Sequence, residues 1–325
     1  MNETIKLADV QIGDNFTRTL LIKAINTEVA SNGKPYIKIT ITDGETQQSV
    51  VVFDTTVEAL AAEGIMPDVM ADVNLQVENY KGSKSFKIVS IHPTTDPTVN
   101  IMDYIKMPPM DIDMMYTEII GAIRASADSL NGKYEPLAQL AEAIIENNKE
   151  GYIKSSAAVS MHHAIRGELL YHTYRMVKSA IAICDVYSIL DKELLICGAA
   201  LHDIGKLWEY KTSESGNAEF TPDGALLGHL YIGASLIKGY TAKHNYSPEK
   251  VELLVHLLLS HHGQREWGAV QLPAVPEAIV LHHIDDIDAK MYMCEENYEQ
   301  LDPGKMTSKK VFGLDTNLYK AKYRG

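Results

Sequence analysis

Residues 194–206 read Leu-Leu-Ile-Cys-Gly-Ala-Ala-Leu-His-Asp-Ile-Gly-Lys, an apolar run that ends in a histidine and an aspartate side by side. So long a run without proline or polar alternation reads as a buried helix rather than a strand. An aspartate in so apolar a segment is costly unless something positive meets it. Together, a neutral imidazole and a carboxylate supply the nitrogen and oxygen donors that divalent first-row metals accept.

The surrounding segments have the same helical character. Apolar residues recur at helical spacing in 114–130, 134–148, 167–190, 192–210, 248–263 and 276–301, so 111–301 is expected to be an all-α domain. Upstream the period changes to two. Ile37, Ile39 and Ile41 alternate, as do Val73, Leu75 and Val77, and Val50-Val51-Val52-Phe53 forms a short apolar run. Turn chemistry separates these runs at Asn32-Gly33-Lys34-Pro35, Asp43-Gly44 and Lys81-Gly82-Ser83, and a helical insert is expected near Thr56–Glu63. Five short strands with such an insert predict a small antiparallel barrel of the OB type over residues 1–93. Pro93 and Pro97 mark 94–110 as a linker, and 302–325 is a polar tail. The fold class is therefore multidomain β + α.

The whole chain has 325 residues, of which 46% are hydrophobic and 22% charged, ordinary values for globular domains and enough for two of them. No stretch reaches the length of a membrane span, and the first residues lack the pattern of a signal peptide, so a soluble, cytoplasmic protein is expected. Cys184, Cys197 and Cys294 are odd in number and lack C-x-x-C spacing, which argues against a disulfide framework or a thiolate zinc site. The net charge of −13 repels polyanions at long range, so any nucleic-acid role needs local positive charge or bound metal.

Of the 12 histidines, all except His92 lie between His162 and His283. Any one of them taken alone reads as a core or capping residue. Their order is more telling: His172, then His202-Asp203, His229, His261-His262 before Gly263, and Asp285. Glu168 stands one helical turn before His172, on the same face. His244, His256, His282 and His283 read as structural.

That order resembles the HD superfamily of metal-dependent phosphohydrolases, through His172, His202-Asp203-Ile204-Gly205-Lys206 and Asp285. With the N-terminal barrel, the segment His162-His163 to His172, Ser260-His261-His262-Gly263, Glu266-Trp267-Gly268, Pro276-Glu277-Ala278 and Asp288-Ala289-Lys290-Met291, nearly the whole chain is similar to the bacterial YhaM-type 3′-to-5′ exoribonucleases. One stretch departs. The family tends to read GGLLEH where this chain has Gly167-Glu168-Leu169-Leu170-Tyr171-His172, which leaves Glu168 open as a ligand.

The resemblance implies two divalent ions, Mn²⁺ first, with Fe²⁺, Co²⁺ or Zn²⁺ as alternatives. His172, His202, Asp203 and Asp285 would hold one, and Asp203 would bridge to a second on His229, His261 and His262. His262 has a second reading, as a group that orients phosphate or protonates the leaving oxygen. Lys206, three residues after Asp203, is placed to stabilise charge on a phosphate oxygen if helix continues through Gly205. Otherwise it is a solvated helix-end lysine. Trp267 is a candidate for stacking on a terminal base, Glu266 for a ribose hydroxyl, and His162 and His163 for the channel border.

In the barrel, Lys81, Lys84 and Phe86 belong to a turn that interleaves cations with aromatics, a pattern suited to single strands. Acids nonetheless outnumber bases over 1–95, so this grip should be modest and salt-sensitive. The expected partner is single-stranded RNA, with single-stranded DNA as a further substrate, no membrane, and room for a homo-oligomer. Two other readings stand beside it: an HD phosphohydrolase of nucleotides or cyclic dinucleotides, and a non-catalytic nucleic-acid or protein binding module.

Overall fold

A computed structural model describes residues 6–30, 33–80, 82–156, 166–242, 244–299 and 301–324. They form two compact units. The first comprises Met1–Pro109, Lys154–Glu168 and Tyr210–Glu219, and the second Met110–Ile153, Leu169–Glu209 and Phe220–Gly325. The first unit is thus discontinuous, taking in two segments that a contiguous reading of the sequence assigns to the helical part.

The first unit is built on five antiparallel strands, β1 (Asn15–Val29), β2 (Pro35–Thr42), β3 (Gln47–Val52), β4 (Val69–Tyr80) and β5 (Ser83–Pro93), in the order β3-β2-β1-β4-β5. Helix α1 (Val57–Ala62) joins β3 to β4, and Thr56 caps it by accepting the Ala59 N–H at 3.2 Å. The alternation read from the sequence explains the sheet's face: Ile37, Ile39 and Ile41 pair into β1 and β3 and pack with Val50, Val73 and Leu75 in one core. Among the described residues no ladder joins β3 to β5, so the sheet is an open five-stranded OB-like sheet by its hydrogen bonds. The expected linker is not featureless. It contains a 3-10 turn at Ile101–Tyr104, capped by Asn100, and Ile105 is buried.

The second unit is helical: α2 (Ile112–Ala125), α3 (Leu137–Asn147), α4 (Lys149–Lys154), α5 (Glu168–Cys184), α6 (Lys192–Leu201), α7 (Lys206–Glu209), α8 (Pro222–Thr241), α9 (Pro248–Ser260) and α10 (Pro276–Glu299). Between α7 and α8 a hairpin, β6 (Tyr210–Thr212) and β7 (Ala218–Phe220), leaves the helical run. The starts of α2, α6, α8 and α9 are capped by Asp111, Asp191, Thr221 and Ser247, and α8 and α9 open with proline, the usual signals. Helix α6 is apolar all round because it is the axis of the unit, packed against α2, α3, α9 and α10. Its one buried charge, Glu193, is matched: it accepts the Asp128 and Ala138 N–H groups and the Lys250 ammonium at 2.9 Å. The three cysteines are unpaired, Cys197 buried and the other two half-buried.

Candidate metal centre

Helix α6 stops at Leu201, and His202–Gly205 form a turn with Ile204 N–H on Leu201 O at 3.0 Å and Lys206 N–H on Asp203 O at 3.0 Å. Continuation of helix through Gly205 is therefore not what brings Lys206 back. The tight turn does so, placing its Nζ 2.7 Å from Asp203 Oδ2. Gly205 is required here because the backbone of α8 crosses it, and a Cβ would collide with the His229 carbonyl.

Four imidazoles converge on Asp203, each with its Nδ1 tied to an oxygen. His172 on α5 gives Nδ1–H to Asp288 Oδ2 at 2.7 Å, and His202 gives its own to Ala199 O at 3.0 Å. His229 on α8 gives Nδ1–H to Glu209 Oε1 at 3.1 Å, and His261, after α9, to Leu258 O at 2.8 Å. Carbonyls and ionised carboxylates only accept, so each ring carries a proton on Nδ1 and turns its Nε2 inward.

The inward nitrogens divide between the two oxygens of one carboxylate. His202 and His172 Nε2 lie 3.3 and 3.7 Å from Asp203 Oδ2, while His229 and His261 Nε2 lie 3.5 and 3.7 Å from Oδ1. Asp285 on α10 approaches His172 Nε2 at 3.4 Å. Donor atoms of three sets lie within 4.8 Å of one another: His172, His202 and Asp203; His202, His261 and Asp285; and His229, His261 and His262.

Burial would push Asp203 up, but Lys206, His202 and His229 outweigh it and hold the carboxyl well below its usual range. Asp285 is lowered in the same way, with His172 and His202 overcoming burial. Burial, helped by neighbouring imidazoles, lowers His261 and His262, so both rings are neutral at pH 7. These are the protonation states that metal ligation demands. His172 differs: Asp285 and Asp288 outweigh burial and raise it to about 10. Its Nε2 stands 3.0 Å from that of His202, a distance at which two lone pairs repel unless a proton or a cation lies between them.

The residues fit divalent cations by a further criterion. Asp203 Oδ1, His229 Nε2 and His262 Nδ1 are buried with no hydrogen-bond partner, and orphaned polar atoms so costly to bury call for a ligand. Second-layer groups that carry no role in the sequence reading complete the arrangement. Asp288, one turn after Asp285, is held by Arg175 at 2.6 Å while it holds His172. Glu209 accepts the His229 backbone N–H at 3.0 Å as well as its ring. His282, read as structural, gives Nδ1–H to His261 O at 2.9 Å and lines a cavity of about 190 Å³ with His261, His262, Trp267, Asp285 and Asp286.

Trp267 is 52% exposed on that rim, 5.8 Å from the His282 ring. Glu266 is exposed on the same 3-10 turn and is not among the lining residues. Glu168 accepts the Ser156 hydroxyl at 2.9 Å and belongs to none of the three donor sets. In the first unit Lys84 is exposed on β5, whereas Phe86 packs partly against the sheet core, which restricts its ring for stacking. His162, His163 and Lys81 lie outside the described residues.

An all-α unit that gathers His, Asp and no thiolate around one shared carboxylate defines a metal-dependent phosphohydrolase of the HD class. The HD domain family model matches residues 169–290. Similarity extends well beyond that domain. The chain is 31% identical over 312 residues to the 3′-5′ exoribonuclease YhaM of Bacillus subtilis (strain 168), covering 95% of each chain. It is 30% identical over 310 residues to that of Geobacillus sp. (strain WCH70), covering 95% of this chain and 92% of the relative, and 31% identical over 312 residues to that of Bacillus velezensis, covering 95% of each. The chain belongs to the YhaM-type family, an HD-domain hydrolase with an N-terminal OB-like sheet. Among the described residues no helix is long and apolar enough to cross a membrane.

Proposed function

We propose that the protein is a cytoplasmic 3′-to-5′ exoribonuclease that hydrolyses single-stranded RNA, and single-stranded DNA as a secondary substrate. The observation that carries the reading is the division of Asp203, with Oδ2 toward His172 and His202 and Oδ1 toward His229 and His261. A carboxylate so placed suits a pair of divalent cations, manganese first. His172, His202, Asp203 and Asp285 would hold one, and Asp203, His229, His261 and His262 the other. When bound, such ions polarise a phosphodiester and acidify water.

The chain's own groups do the rest. Lys206 keeps its proton because Asp203 outweighs burial, so a fixed positive charge stands at the shared carboxylate where a phosphate oxygen would arrive. His262, neutral at pH 7, is suited to ligation or to accepting a proton rather than to serving as an acid. The half-exposed Trp267 offers a face for the terminal base, with Glu266 beside it for a ribose hydroxyl. His162 and His163 would border the channel. The OB-like sheet, completed as a barrel, would present Lys81, Lys84 and Phe86 to the incoming strand. These roles agree with the 3′-5′ exoribonuclease activity for which the relatives are named.

The test is incubation of the full chain with a 5′-labelled oligoribonucleotide and Mn²⁺. A ladder of shortened products is expected, and none from Asp203→Ala with the fold retained by circular dichroism. Release of internal fragments without a ladder, or turnover of free nucleotides alone, would overturn the assignment.

A further inference from the structure

The cavity at the metal centre has a part that ligation does not account for. Besides the donors His261, His262 and Asp285, its lining includes Trp267, His282 and Asp286. Helix α10 supplies positions 282, 285, 286 and 289, the i, i+3, i+4, i+7 spacing of one helical face. Asp286 therefore shares the cavity with Asp285, which approaches His172 at 3.4 Å. The loop after α9 sets Trp267 against the same face. A Cβ at Gly263, whose φ is 74°, would collide with the His282 ring, so only a bare backbone passes there. Trp267 N–H then closes a turn on Gln264 O at 3.1 Å, and the half-exposed indole stands 5.8 Å from His282.

Asp286 has a single partner. Its Oδ2 accepts the Lys290 ammonium at 2.7 Å, one turn on, and among the described residues nothing meets Oδ1. An i,i+4 ion pair on a partly exposed face adds little stability, so stability alone gives no reason for an acid here. The surroundings give one. A terminal nucleotide with its phosphate at the metal donors and its base on Trp267 brings its sugar into this same cavity, where Asp286 is the acceptor left over. Glu266, on the turn of Trp267, is outside the lining. A carboxylate accepts and does not donate, so it suits a hydroxyl and repels a phosphate.

We infer that Asp286 determines which strand ends are accepted: its carboxylate takes a hydrogen bond from the terminal 3′-hydroxyl and turns away strands that end in a 3′-phosphate. The inference rests on the exoribonuclease reading for its substrate and names the residue that selects the end. Attraction and repulsion act together. The hydroxyl supplies the donor that Oδ1 lacks, whereas a phosphate brings acceptors and negative charge to a carboxylate, the kind of mismatch from which specificity is built. Lys290 works the other way, because an ammonium attracts phosphate, but Asp286 already engages it. Removing the carboxylate frees that ammonium and shifts the preference toward the phosphate.

Two measurements on the full chain test it, with 5′-labelled hexa-adenylate ending in a 3′-hydroxyl or a 3′-phosphate. Binding is followed by fluorescence anisotropy on Asp203→Ala without added metal, and cleavage on the parent with Mn²⁺. Each is repeated with Asp286→Asn, Asp286→Ala and Lys290→Met, with circular dichroism as the control for folding. The hydroxyl end is expected to be favoured about tenfold in binding and in kcat/KM, the loss usual for a missing hydrogen bond to a charged group. Both Asp286 variants should narrow that ratio about fivefold, through KM with kcat nearly kept, and Lys290→Met should preserve it. Discrimination in binding that the Asp286 variants lose, with no ladder from the parent, upholds the role of Asp286 and overturns the exoribonuclease reading instead. Equal treatment of the two ends by the parent overturns the inference even where a ladder appears. So does a ratio that the Asp286 variants leave unchanged, or one that Lys290→Met abolishes. Absence of both binding and ladder overturns inference and reading together.

Discussion

Glu209 grips His229 at two points, its Oε1 accepting both the backbone N–H at 3.0 Å and the ring Nδ1–H at 3.1 Å. The grip depends on Gly228, whose φ of 70° and ψ of 155° interrupt α8 so that His229 opens a fresh helical segment with its N–H free of the preceding turn. A carboxylate at such an N-terminus also meets the positive end of the helix dipole.

Glu209→Gln keeps the shape but removes the charge that fixes the Nδ1–H tautomer of His229. Metal affinity is expected to fall about 10–100-fold, the usual loss for such a supporting group. Titration against a chelating dye reads it, with the melting temperature as a control for folding. Unchanged affinity would show that His229 is oriented by packing alone.

Cation binding should also appear as stability, because a ligand held only by the folded state adds about 2.7 kcal/mol at a hundred times its Kd. Adding Mn²⁺ to the stripped protein is expected to raise the melting temperature, and EDTA to reverse it. Asp203→Asn, which takes the shared charge from between the two donor sets, should show no such rise. An equal rise in both proteins would place the stabilising cation elsewhere.

Two glycines one helix apart in role make a paired test. A Cβ at Gly205 meets the backbone of α8 at His229, which cannot yield, so Gly205→Ala should cost about 3 kcal/mol and displace His229. A Cβ at Gly239, inside α8, meets nothing within 4 Å, and Gly239→Ala should gain about 0.5–1 kcal/mol. Urea unfolding of both variants decides it, and similar values for the two would sink the crossing argument.

Much of this was legible in the chain. Period-two runs gave β2 and β4, helical spacing gave the second unit, and Thr56–Glu63 bracketed α1 because a cap residue is a local signal. The residues His172, His202-Asp203, His229, His261-His262 and Asp285 were legible as a set from their residue types and order, and the fold brings their donor atoms together from α5, the turn after α6, the middle of α8, the end of α9 and the middle of α10. Less could be read of what supports them. Glu209 looks like any solvated acid until a kink 19 residues on presents a backbone N–H to it. Glu193 likewise sits in the first turn of α6 as an ordinary helix-start acid, and only the fold brings Lys250 to it. The hairpin after Tyr210 defeated a contiguous division because its partner is β1, which bulges at Lys23, 194 residues before the Asn217 that bonds to it.

Lys23, the buried extra residue of the β1 bulge, gives a pH dependence outside the candidate metal centre. Its folded value of about 8 lies below the ordinary 10.5, so between those pH values the unfolded chain binds more protons than the folded one. Stability therefore rises with pH across that window, and the full cost of burying the cation is present below pH 8. The fall from 10.5 to about 8 corresponds to about 3.4 kcal/mol at 1.36 kcal/mol per pH unit. Lys23→Met removes the charge and keeps the apolar stem, so the variant should exceed the parent in stability by about that amount at pH 7. The gap should close as pH approaches 10, because the parent lysine is then neutral in the fold. Urea unfolding of parent and variant at pH 7, 8, 9 and 10 measures the gap directly. A gap that stays constant or widens with pH would mean that Lys23 is well solvated or fully paired, and that the bulge does not bury a charge.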